Sequence, residues 1–305
     1  NIGAAVFTTV AGKGLLPAGH VLNAGSILCM SPAWDYLSQA DVVLAIGTEL
    51  ADTDKWRDKL PLKGKIIRVD IDPGKMNDLY PAFIAIIADA ETTATALSEA
   101  VIFTENKDNT ARRLQQLKAV INSEQGPLQK KHIKVLDLLR KTMPSNTFVA
   151  TDMTQIAYTG NYIFQVDQVR SWLHPTGYGT LGYGLPAGIG AKIGAPERPG
   201  VVLVGDGGFL YTMQELATAT EELDTPLVVI LWNNDSLGQI RDDMISLDIP
   251  PIGVSPKNPD FIMLAKSFGC RTAQPKSLDE IEIELRESFN FVGVTFIEIH
   301  ESYID

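Results

Sequence analysis

Over roughly the first hundred residues, short runs of β-branched and other apolar residues alternate with stretches whose apolar positions recur at helical spacing. Asp41-Val-Val-Leu-Ala-Ile-Gly47 and Lys65-Ile-Ile-Arg-Val-Asp-Ile-Asp72 read as buried strands. Between 103 and 130 the apolar periodicity fades: Phe103-Thr-Glu-Asn-Lys-Asp-Asn-Thr110 and the Arg/Gln/Lys-rich stretch up to Gln125-Gly126-Pro127 are mostly polar, which predicts a linker. Helical spacing returns from His132 to Lys141, and Thr147-Phe-Val-Ala-Thr-Asp152 reads as a strand ending on a polar residue. A glycine-rich stretch from Gly177 to Ala191 then leads into the apolar strand Val201–Val204 and the turn Gly205-Asp206-Gly207-Gly208. Phe209 to Glu222 predicts a helix, Leu227–Trp232 a strand buried on both faces, Leu278–Ser288 a helix and Val294–Ile299 a last strand. The pattern is that of an α/β chain with two doubly wound parallel-sheet domains, the first over 1–105 and the second over 131–305, joined by a linker over 106–130. In such sheets ligands bind beyond the carboxyl ends of strands, where strand order reverses, so Asp206 and the Asn233-Asn234 pair are expected to face one crevice.

Composition narrows the partners. With 305 residues, 45% of them hydrophobic, the chain can form two cores. Its net charge of −11 offers no footprint for a nucleic-acid backbone. No apolar run reaches the roughly 18 residues needed to cross a bilayer, and Asn1-Ile2-Gly3-Ala4 carries no basic region ahead of an apolar one. A cytoplasmic protein with neither nucleic-acid nor membrane partners is expected. Cys29 and Cys270, far apart and without a CxxC spacing, read as core thiols.

The glycines of 205–208 let backbone approach a bulky anion, such as a diphosphate, and the following helix aims free N–H groups at it. A hard cation such as Mg²⁺ takes oxygen ligands and commonly bridges protein to phosphate, and Asp206 and Asn234 supply a carboxylate and an amide oxygen from neighbouring strand ends. The competing reading is a tight strand-to-helix turn, with the Asn pair capping another turn. The spacing separates the two: residues 208–232 between the motifs are the length of one helix and one return strand.

A GDG turn followed by a strand ending in Asn-Asn resembles the thiamine-diphosphate enzyme family of acetolactate synthase, benzoylformate decarboxylase and related 2-oxoacid decarboxylases. Gly179-Thr-Leu-Gly-Tyr-Gly-Leu-Pro-Ala-Gly-Ile-Gly-Ala191 is similar to that family's cofactor-cradling segment. The resemblance implies that Asp206, Asn234 and the carbonyl of Ser236 bind Mg²⁺. It places Gly207 and Gly208, with Thr154, Gln155, Leu237 and Gly238, around the diphosphate of thiamine diphosphate. Leu181 matches the bulky residue beneath the cofactor, and the carbonyl of Gly179 the acceptor of its amino group. Thr8-Thr-Val-Ala-Gly-Lys-Gly14, Leu16-Pro17 and Val69-Asp-Ile-Asp-Pro73 resemble the middle domain, which binds FAD in some relatives and nothing in many; the sequence leaves FAD open. A complete member carries a further N-terminal domain with an activating glutamate from the opposite subunit. The resemblance therefore implies that this chain is a fragment, inactive alone, of a homodimer or homotetramer.

The implied activity is non-oxidative decarboxylation of a small-molecule 2-oxoacid. Asp242 and Asp243, just past the metal loop, could pair with a cationic tail on that substrate, and a guanidinium suits a carboxylate fork. Alternatively they begin a solvated helix, where acidic residues are favourable. The stretches around Thr151–Tyr158, Trp172–Pro175 and Asn233–Met244 are also similar to 5-guanidino-2-oxopentanoate decarboxylases. His174 is a candidate proton donor because an unperturbed imidazole titrates near neutrality; its alternative role is structural. The rival readings are an acetolactate-synthase-type carboligase and a non-catalytic cofactor-binding module. A dinucleotide-binding dehydrogenase is disfavoured by the lack of a GxGxxG turn after an early strand.

Overall fold

The computed structural model describes residues 2–101 and 107–304. The chain divides into two compact units, Asn1–Gly12 with Leu16–Gln125, and Lys13–Leu15 with Gly126–Asp305. In the first unit, β1 (Val6–Phe7) pairs in parallel with β2 (Asn23–Gly25). Then β3 (Val42–Ile46), β4 (Lys65–Asp70) and β5 (Ile84–Ile87) form a parallel sheet in that order. Helices α1 (Ser31–Ser38), α2 (Asp52–Lys55), α3 (Ala90–Ala100) and α4 (Lys107–Ser123) accompany them. Leu28, Leu37, Leu60, Ile66 and Tyr80 make a core beside this sheet. Arg68, in β4, is buried; it pairs with Asp78 at 2.5 Å and donates to the carbonyls of Thr48 and Tyr80, so its charge is compensated where water cannot reach.

Helix α4 occupies much of the span expected as linker, and the two units divide within that span, between Gln125 and Gly126. Leu114, Leu117 and Ile121 recur three and four residues apart and are buried, an amphipathic stripe that the surrounding polar residues disguise. The expectation also covered residues 103–106, which lie outside the described residues.

In the second unit α5 (Pro127–Thr142) turns Val135, Leu136 and Leu139 inward and precedes β6 (Phe148–Thr151), α6 (Gln155–Ile163) and β7 (Trp172–Leu173). Next come α7 (Gly184–Gly194), β8 (Gly200–Gly205), the short α8 (Asp206–Phe209), α9 (Glu215–Glu222), β9 (Leu227–Asn233) and α10 (Gly238–Ser246). The chain closes with α11 (Phe261–Ser267), β10 (Arg271–Ala273), α12 (Leu278–Ser288) and β11 (Val294–His300). Six strands form an all-parallel sheet in the order β10-β11-β9-β8-β6-β7, and every residue of β8 and β9 is buried, as expected of strands covered on both faces. Val149 pairs with Trp172 of β7 on one side and with Val201 of β8 on the other. The chain thus leaves β6 in one direction and returns to its opposite side, a reversal of strand order that opens a crevice at the carboxyl ends of β6 and β8. Phe209 packs on Phe261 and Phe296, with ring centroids 5.8 and 5.2 Å apart, and closes the core behind the crevice. The single helix expected over Phe209–Glu222 is divided into α8 and α9 by turns at 210–214.

Candidate functional site

A cavity of about 290 Å³, near the lower end of the range for small-molecule sites, opens at the ends of β6, β8 and β9. Thr154, Gln155, Gly179, Leu181, Asp206, Gly207, Gly208, Asn234, Ser236, Leu237 and Gly238 all line it. Gly205, of the same turn as Asp206, lines it as well, and so do Met153, Tyr158, Gln239 and Ile240, for which the sequence pointed to no role of their own.

Asp206 stands at the end of β8, 2% exposed. Burial raises its pKa, opposed by hydrogen bonds from the Asn258 amide and from the backbone N–H groups of Gly207 and Ser236. Asn234 follows the last residue of β9. Its Nδ2 donates to Gln155 Oε1 at 3.2 Å, and Gln155 Nε2 donates to Asp242 Oδ2 at 2.9 Å, so the relay leaves Asn234 Oδ1 as the acceptor end. The Ser236 hydroxyl and the Leu237 N–H both donate to the Val254 carbonyl, at 2.9 and 2.8 Å, which fixes the turn carrying the Ser236 carbonyl.

The floor is bare backbone. A Cβ on Gly207 would lie 2.5 Å from Leu237 Cδ2, and one on Gly208 2.7 Å from Asp152 Oδ1. Glycine is required for the N–H groups to line the cavity without a side chain in front of them. Asp152, fully buried, organises the cradle: its Oδ1 accepts from the N–H groups of Met153 and Gly182, at 2.8 and 3.1 Å, and its Oδ2 from Gly184, at 2.9 Å. Burial raises its pKa, and these backbone bonds oppose the rise. Gly182, at φ +84°, allows the chain to turn under this carboxylate, and Leu181 is thereby held at the cavity wall.

His174 is placed beside the crevice and does not line the cavity. Asn161 Nδ2, whose amide is oriented by the Trp172 indole N–H on Oδ1, donates to His174 Nε2 at 3.0 Å. Nδ1 therefore carries the hydrogen and donates to Thr151 Oγ1 at 2.7 Å. Burial, with a smaller contribution from the Lys13 charge, pushes this imidazole down to about 4. A neutral ring with both nitrogens engaged holds β6, α6 and β7 together. Tyr158, in the cavity wall, meets His174 edge-on at 6.3 Å, and burial pushes its phenol up to about 12, so it remains a hydroxyl at neutral pH. Neither Asp242 nor Asp243 lines the cavity, yet each is tied to an amide that does. Asp242 accepts from Gln155 and from Arg241, and Asp243 accepts from Gln239 Nε2 at 2.9 Å, one helical turn away. The two cysteines are free; Cys270 is buried, and burial pushes its thiol up to about 11.

The donor set fits a hard cation bridging to a diphosphate. Among the described residues no three His, Cys, Asp or Glu side chains converge. What converges is one carboxylate, one amide oxygen and one carbonyl beside glycine backbone, the oxygen ligands that Mg²⁺ takes together with phosphate. No helix among the described residues is long and apolar enough to cross a membrane.

Comparison with known proteins agrees with this geometry. Residues 152–299 match the thiamine pyrophosphate enzyme C-terminal TPP-binding domain, and residues 1–97 match the central domain of the same enzymes. The chain is 59% identical to the probable 2-ketoarginine decarboxylase AruI of Pseudomonas aeruginosa, over 99% of this chain and 54% of that protein. It is 32% identical to a probable acetolactate synthase large subunit of Methanocaldococcus jannaschii, over 93% of this chain and 50% of the relative. Against the large subunit of acetolactate synthase isozyme 1 of Escherichia coli K12 the identity is 28%, over 95% of this chain and 53% of the relative. The chain spans about half the length of the curated relatives it matches. With both domain matches falling on the two units, and the cavity built by the second, the chain belongs to the thiamine-diphosphate enzyme family, whose central and C-terminal cofactor-binding domains it carries.

Proposed function

We propose that the protein carries out thiamine-diphosphate- and Mg²⁺-dependent, non-oxidative decarboxylation of a 2-oxoacid whose far end bears a guanidinium. The chemistry supplied by the bound cofactor is a nucleophilic carbon and an electron sink. In this reading the side chains of Asp206 and Asn234 and the Ser236 carbonyl hold Mg²⁺. The backbone of Gly207 and Gly208, with Thr154, Gln155, Leu237 and Gly238, holds the diphosphate. Leu181 and the Gly179 carbonyl set the cofactor's conformation from the cradle that Asp152 organises. Tyr158, a neutral phenol, offers a hydroxyl at the wall without adding charge.

The observation that carries the substrate class is α10. It presents Asp242 and Asp243 one turn beyond Gly238 and Gln239 of the cavity lining, each aspartate joined to a lining amide, so a cationic tail leaving the cavity along this helix meets two carboxylates. The 59% identity to a probable 2-ketoarginine decarboxylase supports the same choice. Homodimeric or homotetrameric assembly belongs to this reading too, in keeping with the exposed Ile245, Leu247, Ile249 and Ile252 after the cavity-lining start of α10.

The test is product analysis of the whole protein with thiamine diphosphate, Mg²⁺ and paired 2-oxoacids of equal length, one ending in guanidinium and one in a neutral group. An aldehyde and carbon dioxide from the first, with kcat/KM about 5-fold above the second, is expected from an ion pair of about 1 kcal/mol at carboxylates that solvent reaches. Equal rates overturn the substrate class. A 2-hydroxy-3-oxo acid product establishes instead the carboligase reading, which the acetolactate synthase relatives favour. Cofactor binding without turnover of any 2-oxoacid establishes a non-catalytic module.

A further inference from the structure

Asn258 lies outside the cavity lining, in Pro256-Lys-Asn-Pro-Asp260 ahead of α11. Its Nδ2 is 2.8 Å from Asp206 Oδ2, 3.2 Å from Asp235 Oδ1 and 3.3 Å from Asn233 Oδ1. Three acceptor oxygens around one amide nitrogen fix its orientation, since the flipped amide would set its carbonyl against all three. The other end is left over: Asn258 Oδ1 is buried and has no hydrogen-bond partner. The hydrogen bonds of this side chain are therefore all made by its nitrogen.

The place it holds is the junction of the two strand ends. Asp206 ends β8. Asn233 and Asp235 flank Asn234, and Asp235 sits in the left-handed region at φ +51°, so the turn Asn233–Ser236 depends on side-chain bonds to keep its shape. Two of those bonds are independent of Asn258: Asn233 Nδ2 donates to Glu298 Oε1 at 2.8 Å, and Asp235 Oδ2 lies 3.0 Å from His300 Nε2. The turn is therefore braced without Asn258. The Ser236 N–H already ties that turn to the Asp206 carboxylate, and Asn258 adds a side-chain link, from outside the turn, to Asp206 Oδ2.

We propose that Asn258 is a positioning residue of the metal site, engaging Asp206 Oδ2 so that Oδ1 is the oxygen presented to the cation, and locking β8 to the turn that carries Asn234 and Ser236. This rests on the reading of Asp206, Asn234 and Ser236 as Mg²⁺ ligands. It pairs with Gln155, which fixes the Asn234 amide from the opposite side, so each of the two ligand side chains has an amide dedicated to its orientation.

The test uses the whole protein with thiamine diphosphate and Mn²⁺ as a spectroscopic probe, in wild type, Asn258→Leu, Asn258→Ala and Asp206→Ala. Loss of a hydrogen-bonding partner behind a metal ligand weakens affinity about 10- to 100-fold. Asn258→Leu, which keeps the branching at Cγ and removes the donor, should fall in that range and broaden the signal of the bound ion. Asn258→Ala should lose less, because a water in the vacated polar space can donate to Asp206 in its place. The metal-free melting temperature should stay close to wild type in both. Mn²⁺ affinity in Asn258→Leu equal to wild type overturns the proposal, as does a lower metal-free melting temperature with unchanged affinity of the folded protein. If the wild type binds thiamine diphosphate but no Mn²⁺, the ligand assignment fails, and the proposal with it.

Discussion

His174 offers a prediction whose size follows from its surroundings. Unfolded, the imidazole titrates near 6.5; folded, burial holds it at about 4. The folded state therefore binds fewer protons than the unfolded one between those two values, and stability must fall as pH drops through that window. The contribution is fully present above about 6.5, declines towards pH 4, and is constant below it. Integrated over roughly 2.5 pH units at about 1.4 kcal/mol per unit, the loss approaches about 3 kcal/mol, of which about 2 is reached by pH 5. His132, also buried and held at about 4, adds a loss of the same sign, so the wild-type slope alone does not isolate His174. The comparison with His174→Asn does. The variant is less stable at pH 7, since Thr151 or Asn161 loses its partner, but that deficit should shrink by about 2 kcal/mol between pH 7 and pH 5. Urea unfolding followed by fluorescence of the tryptophans, at half-unit pH steps, measures both curves. A deficit that stays constant with pH refutes the reasoning, as does an imidazole proton resonance of His174 titrating near 6.5. At pH 7 an imidazole with a pKa of about 4 is protonated in only about one molecule in a thousand, so the pH profile of kcat should show no ionisation near 6.5 from this residue.

Three further outcomes follow from close contacts. Gly238→Ala puts a Cβ against Gln155 Oε1 and 2.7 Å from Asn234 Nδ2, so Gln155 must give up its place beside Asn234, and calorimetry should show Mg²⁺ and thiamine diphosphate binding about 10-fold more weakly. Asp152→Asn replaces one of two accepting oxygens with a donor facing a backbone N–H; a loss of about 2 to 4 kcal/mol in urea unfolding is expected, and a midpoint unchanged from wild type would show that the cradle does not depend on this carboxylate. Arg68→Leu removes the buried cation of the first unit and leaves Asp78 and two carbonyls without it. Chemical unfolding should register a loss of about 3 kcal/mol, with the binding of thiamine diphosphate to the second unit unchanged.

What the sequence disclosed and what it concealed divide along one physical line. Leu227–Trp232 was legible as a strand because both of its faces are buried, and a continuous apolar run has no other use at that length. Asp206, Asn234, Gly207 and Gly208 were legible because their chemistry resides in the local turn: glycine where backbone must be bare, an oxygen donor where a strand ends. The stripe on α4 was missed because three buried positions in seventeen residues are outvoted by polar neighbours when composition is read instead of spacing. Asp152 read only as the polar residue that ends a strand, since nothing near it in the chain shows that its carboxylate gathers N–H groups some 30 residues further on. Asn258 carried no signal at all. Its partners lie 23, 25 and 52 residues away, and an Asn-Pro pair before a helix looks like any other turn. The residues that would touch a ligand are thus written locally, whereas those that aim them are recruited through the sheet, by the return of β9 beside β8 and of the segment before α11 beneath both. A motif can therefore be matched residue for residue while the site it names is mis-set, and variants at Asn258 and Gln155, which leave every motif residue of the GDG and Asn-Asn turns in place, are the ones that separate possession of the motif from possession of the site.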